Sequence, residues 1–317
     1  MDIKLIGPVI LVVVLLILLY KYLPSKYLPS VISENSQLKI QEIYPSPHLT
    51  PLYKQDKVDI NKELINYSIL SSRNSYLDNN EECSLDALKQ VIDYGAKFIE
   101  LDLFTNDGNI VVAKDVYLEN SLDFKDCCNI IKKNAFKLHP YDPLFLYLKC
   151  KSLGPYEQNQ IANIIKQVIP YDQLLHKKYG NCGNTLSNND KESIYKMSHS
   201  MDEFKNRIII ITDNSKPLNK DMPRILDDIT NLSTGDNYNI GINHIPTTED
   251  PEEIISHSEN KMSLYYPNDD YAWIGVTGTQ FIPMKFYENT DAVNAYLKIF
   301  SKDNRSAPDR SYMTIKK

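Results

Sequence analysis

The chain has 317 residues, with 35 lysines and arginines against 41 aspartates and glutamates, for a net charge of -6. That mild acidity argues against a protein drawn as a whole to nucleic acid or to an anionic bilayer, and the length suits one large α/β domain plus a tether. Cys83, Cys127, Cys128, Cys150 and Cys182 form no CxxC pair and have no histidine at metal-ligand spacing, so neither a zinc site nor a disulfide framework is indicated and a reducing compartment is expected.

The run Leu5 to Tyr20 (LIGPVILVVVLLILLY) is almost wholly aliphatic and uncharged, and Lys4 and Lys21 can snorkel to the two interfaces. The sequence predicts a single spanning helix within residues 1–21. No A-x-A-like site follows it, so an anchor is favoured over a cleaved signal. Lys21 and Lys26 behind the apolar run place the bulk of the chain on the cytosolic side. Sequons at Asn66, Asn231 and Asn304 leave a secreted orientation open. Residues 22–57 carry Pro24, Pro29, Pro45, Pro47 and Pro51 and a tandem KYLPS unit, which forbid a continuous helix and predict an extended stalk.

Residues 58–317 alternate short apolar runs with helical patterns: INYSILSS, SLDALKQVIDYGA, FIELDLF, DFKDCCNIIKKNAF, LFLYLKC, YEQNQIANIIKQVI, NRIIIIT and MPRILDDITNL. Strand and helix repeated in this way predict a parallel α/β architecture. No glycine-rich phosphate loop follows the first strand, and polar residues gather at the carboxyl ends of several strands. Both features favour a TIM-type (β/α)8 barrel over an open doubly wound sheet.

In FIELDLF, Glu100 and Asp102 are two apart on a strand and share a face, with Ile99 and Leu101 on the other. Two carboxylates so placed raise each other's pKa unless a cation compensates. A divalent ion such as calcium would do so, and so would a neighbouring lysine.

The stretch SRNSYL (Ser72 to Leu77), followed by SLDALKQVIDYGAKFIELDLFTNDGNIVVAKD, resembles the X region of phosphoinositide-specific phospholipases C, in which SHNTY, a helix, an ELD strand and VVYHG follow one another. DPLFLYLKCK is similar to that family's ILSLENH strand, and NKMSLYYPNDDYAWIGVTGTQFIPMKFY to its Y-region segment LSRIYP and GCQMVALNF. The resemblance runs over residues 62–317. Glycerophosphodiester phosphodiesterases have a unit close to ELDLFTNDGNIVVAKD, but they begin with HRG where this chain has SRNSY.

The resemblance implies a metal-assisted phosphodiesterase barrel, and the chain departs from it at defined positions. The two family histidines, which do acid-base work, fall on Arg73 and Lys114. An arginine stays protonated in proteins, and a lysine becomes a base only if its pKa falls by about three units or more. The family's calcium ligands fall on Asn74, Glu100 and Asp102, and its fourth, a glutamate, falls on Lys149, whose ammonium would repel a divalent ion. The leading expectation is therefore no cofactor, with calcium the one candidate left open. The family's phosphate-binding lysines fall on Ile211 and Asp213 and its arginine on Leu264, while the substrate tyrosine remains as Tyr266. His244, after a late strand in YNIGINHIP, is the histidine nearest a strand end.

Three readings follow. The favoured one is a membrane-tethered pseudoenzyme that binds a lipid headgroup or a protein partner without cleaving it, because the general base is absent. The second is an active phosphodiesterase cleaving phosphatidylinositol or a related lipid with a rearranged site. The third is a structural or virion membrane protein, since richness in Tyr, Asn, Ile and Lys fits an AT-biased genome such as that of a large DNA virus.

Overall fold

The computed structural model describes residues 69–137, 140, 142–150, 152–175, 201–213, 226, 229–234, 240–242, 262–267, 279–288 and 290–302. Among these, no helix is long and apolar enough to cross a membrane. The predicted span Leu5 to Tyr20, the stalk, and all six histidines including His244 lie outside the described residues.

The described strands are β1 (Ser71–Ser72), β2 (Phe98–Asn106), β3 (Asn109–Val112), β4 (Leu122–Asp123), β5 (Leu144–Lys149), β6 (Ile208–Thr212), β7 (Leu232–Ser233), β8 (Ile240–Ile242) and β9 (Met262–Leu264). β1, β2, β5, β6 and β7 pair in parallel in that order, and β8 pairs in parallel with β9. Parallel bridges from Leu264 to Phe281 and from Phe281 to Ile69 return the chain to its first strand. Parallel strands that come back on themselves with helices between them make an α/β barrel.

The helices form where their caps dictate. In α1 (Leu85–Tyr94), Ser84 Oγ accepts from the amide of Ala87, and Gly95 ends the helix at φ 111, a left-handed conformation that needs no Cβ. In α2 (Phe124–Asn134), the Asp123 carboxylate accepts from the amides of Lys125 and Asp126, and the buried face carries Phe124, Cys127, Cys128 and Ile131. α3 (Pro155–Val168) begins with proline at a position where an amide would go unused, and buries Ile161, Ala162 and Ile165. α4 (Asp291–Lys302) docks on the first strand, where Tyr296 OH accepts from the Ser71 amide at 3.1 Å.

β2 runs on past the barrel into a hairpin with β3, to which β4 adds in turn. The turn is Asp107-Gly108, at φ 49 and 80, the two left-handed residues that a tight hairpin requires.

Strand parity separates the two faces. Phe98, Phe145, Ile209 and Phe281 meet in one buried cluster with Ile69 and Leu264 and fill the barrel's interior. Phe98 lies beside Phe145, and Phe145 beside Ile209, across the parallel ladder. Two residues further along, Glu100 stands beside Tyr147; after another two, Asp102 stands beside Lys149. The interior thus changes from aromatic to charged towards the carboxyl ends of the strands, where barrel sites are built. Before β2 and β5, Lys97 and Asp142 are buried together, and Lys97 Nζ donates to Ala135 O at the end of α2 at 2.8 Å.

Candidate functional site

The segment after β1 turns sharply at Asn74, whose φ of 47 lies in the left-handed region that asparagine tolerates. The segment is fixed to β2 by the Ser75 amide donating to Glu100 O at 3.3 Å and by the Glu100 amide donating to Ser75 Oγ at 3.0 Å. These bonds bring Arg73, Asn74 and Tyr76 to the acids.

Glu100 is 0% exposed and Asp102 21% exposed. Lys149 Nζ lies 2.6 Å from Glu100 Oε1 and 3.5 Å from Asp102 Oδ1. Tyr266 OH donates to Glu100 Oε2 at 2.5 Å. Tyr76 OH donates towards Asp102 Oδ2 at 3.0 Å and Ala113 O at 2.8 Å. The Asn74 carboxamide, with its nitrogen turned to the acids, donates to Asp102 Oδ2 and Glu100 Oε1, each at 3.2 Å. Every oxygen of both carboxylates therefore faces a protein donor.

Burial raises the Glu100 pKa, and the Lys149 ammonium opposes that rise. Burial likewise raises the phenols of Tyr266 and Tyr76, each next to a carboxylate, so both stay protonated and act as donors. The Tyr266 ring receives two cations: the Arg73 guanidinium 5.1 Å from its centroid and Lys149 Nζ at 5.4 Å. Arg73 Nε is buried and has no hydrogen-bond partner among the described residues.

The three basic residues singled out from sequence have separate placements. Lys149 lies on the acids and Arg73 stacks on Tyr266. Lys114 leaves the cluster altogether and pairs with Glu81 on the exposed rim, where hydrogen bonding to that carboxylate raises its pKa. Asp213, at a position where the resemblance implies a phosphate-binding lysine, accepts from the Cys150 amide at 2.7 Å, a structural bond that ties the end of β6 to the end of β5. Ile211 and Leu264 are fully buried in the core. Tyr76 was missed by sequence reasoning, although it lies two residues after Asn74 in the same SRNSY stretch and a tyrosine there was a visible signal.

The calcium site that the fold family implies does not fit these residues. Calcium takes six to eight oxygens at about 2.3–2.6 Å, whereas here an ammonium touches both acids. Among the described residues, no three His, Cys, Asp or Glu side chains group to hold an ion.

Residues 60–214 match the family model for the phosphatidylinositol-specific phospholipase C X domain. Phosphoinositide phospholipase C 1 of Arabidopsis thaliana is 30% identical over 122 residues, 37% of this chain and 21% of that protein. Phosphoinositide phospholipase C 3 of the same plant is 30% identical over 167 residues, 51% of this chain and 27% of that protein. This chain has a phosphoinositide-specific phospholipase C-like fold. The crystal structure of L. pealei PLC21 superposes on the phospholipase-C-like barrel with a TM-score of 0.62 at 14% identity, covering 81% of this chain and 38% of that one. S. officinalis PLC21 gives 0.62 at 16% identity, covering 85% and 39%. The phospholipase-C-like barrel therefore corresponds to a minor part of each of these proteins.

Proposed function

We propose that the chain is a membrane-anchored phospholipase-C-like pseudoenzyme that holds a phosphoinositide-type headgroup at the mouth of its barrel without hydrolysing it. The observation that carries this reading is the loss of a proton acceptor at both family histidine positions. Arg73 stacks on Tyr266, and Lys114 is turned to the rim and kept protonated by Glu81. Phosphodiester cleavage by attack of a neighbouring hydroxyl needs a base within hydrogen-bond reach of that hydroxyl, and neither side chain supplies one.

Headgroup binding is supported by the family match, by relatives named as phosphoinositide phospholipases C, and by the buried Arg73 Nε, which has no partner among the described residues. A buried donor left unsatisfied is costly, and an anionic headgroup at this position would relieve that cost. Leu5 to Tyr20 as a spanning helix within residues 1–21, and residues 22–57 as a stalk, would hold the barrel of residues 58–317 near a bilayer on its cytosolic side.

The test uses the full chain in detergent micelles with glycerophosphoinositol, titrated by calorimetry, and follows cleavage by phosphorus NMR with and without calcium. Saturable binding that weakens on Arg73→Gln, with the ligand recovered intact, is the expected result. Cleavage that disappears on Asp102→Asn would overturn the reading.

A further inference from the structure

Glu100 and Asp102 are a carboxylate pair on the inner face of one strand, and Glu100 has no access to water. A pair of this kind needs a cation at close range. The cation present is fixed by the fold. β2 and β5 pair in parallel with Asp102 opposite Lys149, so the lysine stem starts from the position next to the acids and its nitrogen reaches both. The nitrogen stands 2.6 Å from Glu100 Oε1, at the outer limit of a calcium–oxygen distance of about 2.3–2.6 Å, and 3.5 Å from Asp102 Oδ1, beyond it. Tyr266, Tyr76 and Asn74 fill the remaining carboxylate oxygens.

We infer that Lys149 is the resident cation of this cluster. Its ammonium takes the place of a divalent ion, and the side chain at position 149 decides whether the cluster accepts one. With lysine there, an incoming ion meets a positive charge and, among the described residues, no third carboxylate and no carboxylate oxygen without a donor. With a carboxylate there, Asn74, Glu100, Asp102 and residue 149 supply an oxygen set of net charge -3, and the excess negative charge draws an ion in. This inference does not depend on headgroup binding.

The same two tyrosines supply the readout. Terbium stands in for calcium at oxygen sites and emits when an adjacent tyrosine is excited, and Tyr76 and Tyr266 both touch the acids. The full chain in detergent micelles is titrated with terbium as the native protein, as Lys149→Glu, and as Glu100→Gln with and without Lys149→Glu. Native protein is expected to give the same emission as Glu100→Gln, which sets the level from surface ions. Lys149→Glu is expected to gain a saturable signal that calcium displaces at roughly 10⁻⁴ to 10⁻³ M, the range of modest oxygen sites, and that Glu100→Gln removes. Its melting temperature should rise with calcium, while that of native protein stays the same in calcium and in chelator.

A Glu100-dependent signal in native protein would overturn the inference. So would a folded Lys149→Glu without one. Should Lys149→Glu fail to fold even in calcium, Lys149→Gln, which removes the ammonium without adding a third acid, carries the same comparison and is held to the same two outcomes. Loss of headgroup binding leaves these readings unchanged, so failure here is distinguishable from failure of the proposed function.

Discussion

Replacing Lys149 with methionine keeps most of the side chain's volume and removes its charge, leaving Glu100 buried beside Asp102 without its principal cation. At an effective dielectric constant of about 20, separations of 2.6 and 3.5 Å correspond to attractions of about 6 and about 5 kcal/mol, most of which offsets the desolvation of the three groups. Breaking a buried pair from one side costs about 3–5 kcal/mol. Lys149 is 25% exposed, which places the loss near the lower end, about 3 kcal/mol. For a domain of this size that lowers the melting temperature by about 6–12 °C, measurable by differential scanning calorimetry on the full chain. Without the lysine, only the hydrogen bond from Tyr266 opposes the burial and the Asp102 charge that raise the Glu100 pKa, so the carboxyl is pushed further up and folding of the variant favours proton uptake. A raised carboxyl pKa destabilises above the unfolded value, so the deficit of Lys149→Met narrows as the pH falls from 8 towards 5. Adding Glu100→Gln should recover much of the loss. A drop of less than about 2 °C at pH 7.5, or a deficit independent of pH, would refute the argument that this ion pair carries the cluster.

Burial pushes the Lys97 pKa down to about 8, so the cost of its charge is present below that pH and is relieved as pH rises towards the unfolded value. Chemical denaturation should show stability rising by about 3 kcal/mol between pH 8 and 10.5 from this group, and Lys97→Met should abolish that slope. Alone, that variant removes the Lys97 charge that opposes the burial-driven rise of the Asp142 pKa and is destabilised by about 3 kcal/mol at neutral pH, whereas Lys97→Met with Asp142→Leu loses much less. Tyr76→Phe removes the donor to Asp102 and Ala113 O and should cost about 1–2 kcal/mol in the same assay. Gly108→Ala meets no neighbouring atom, so its cost of about 1–2 kcal/mol comes from the left-handed backbone alone.

The strand and helix alternation of residues 69–175 was legible because each element carries its own signal. Ser84 and Asp123 stand where caps are needed, Gly95 ends α1, and β2 and β5 read as short, largely apolar and buried runs. Parity alone put Glu100 and Asp102 on one face. What sequence could not supply was the register between strands: that Lys149 falls opposite Asp102 depends on how β2 and β5 slide past each other, and no local pattern fixes this. The fate of Lys114 was hidden for a similar reason. Its partner Glu81 is 33 residues away, in a turn whose φ of 60 nothing in the β2–β3 hairpin foretells. The Asp107-Gly108 turn, by contrast, was visible as a hairpin signal and went unused.

The central claim is that the acid cluster holds an ammonium and that Arg73 and Lys114, at the two family histidine positions, supply no proton acceptor, and it is tested most directly by a single-turnover assay. Full-length protein in excess over phosphatidylinositol in mixed micelles is followed for released inositol phosphate, in calcium and in chelator. The account predicts no release above a protein-free control in either condition. Release in either condition that Asp102→Asn abolishes would contradict it.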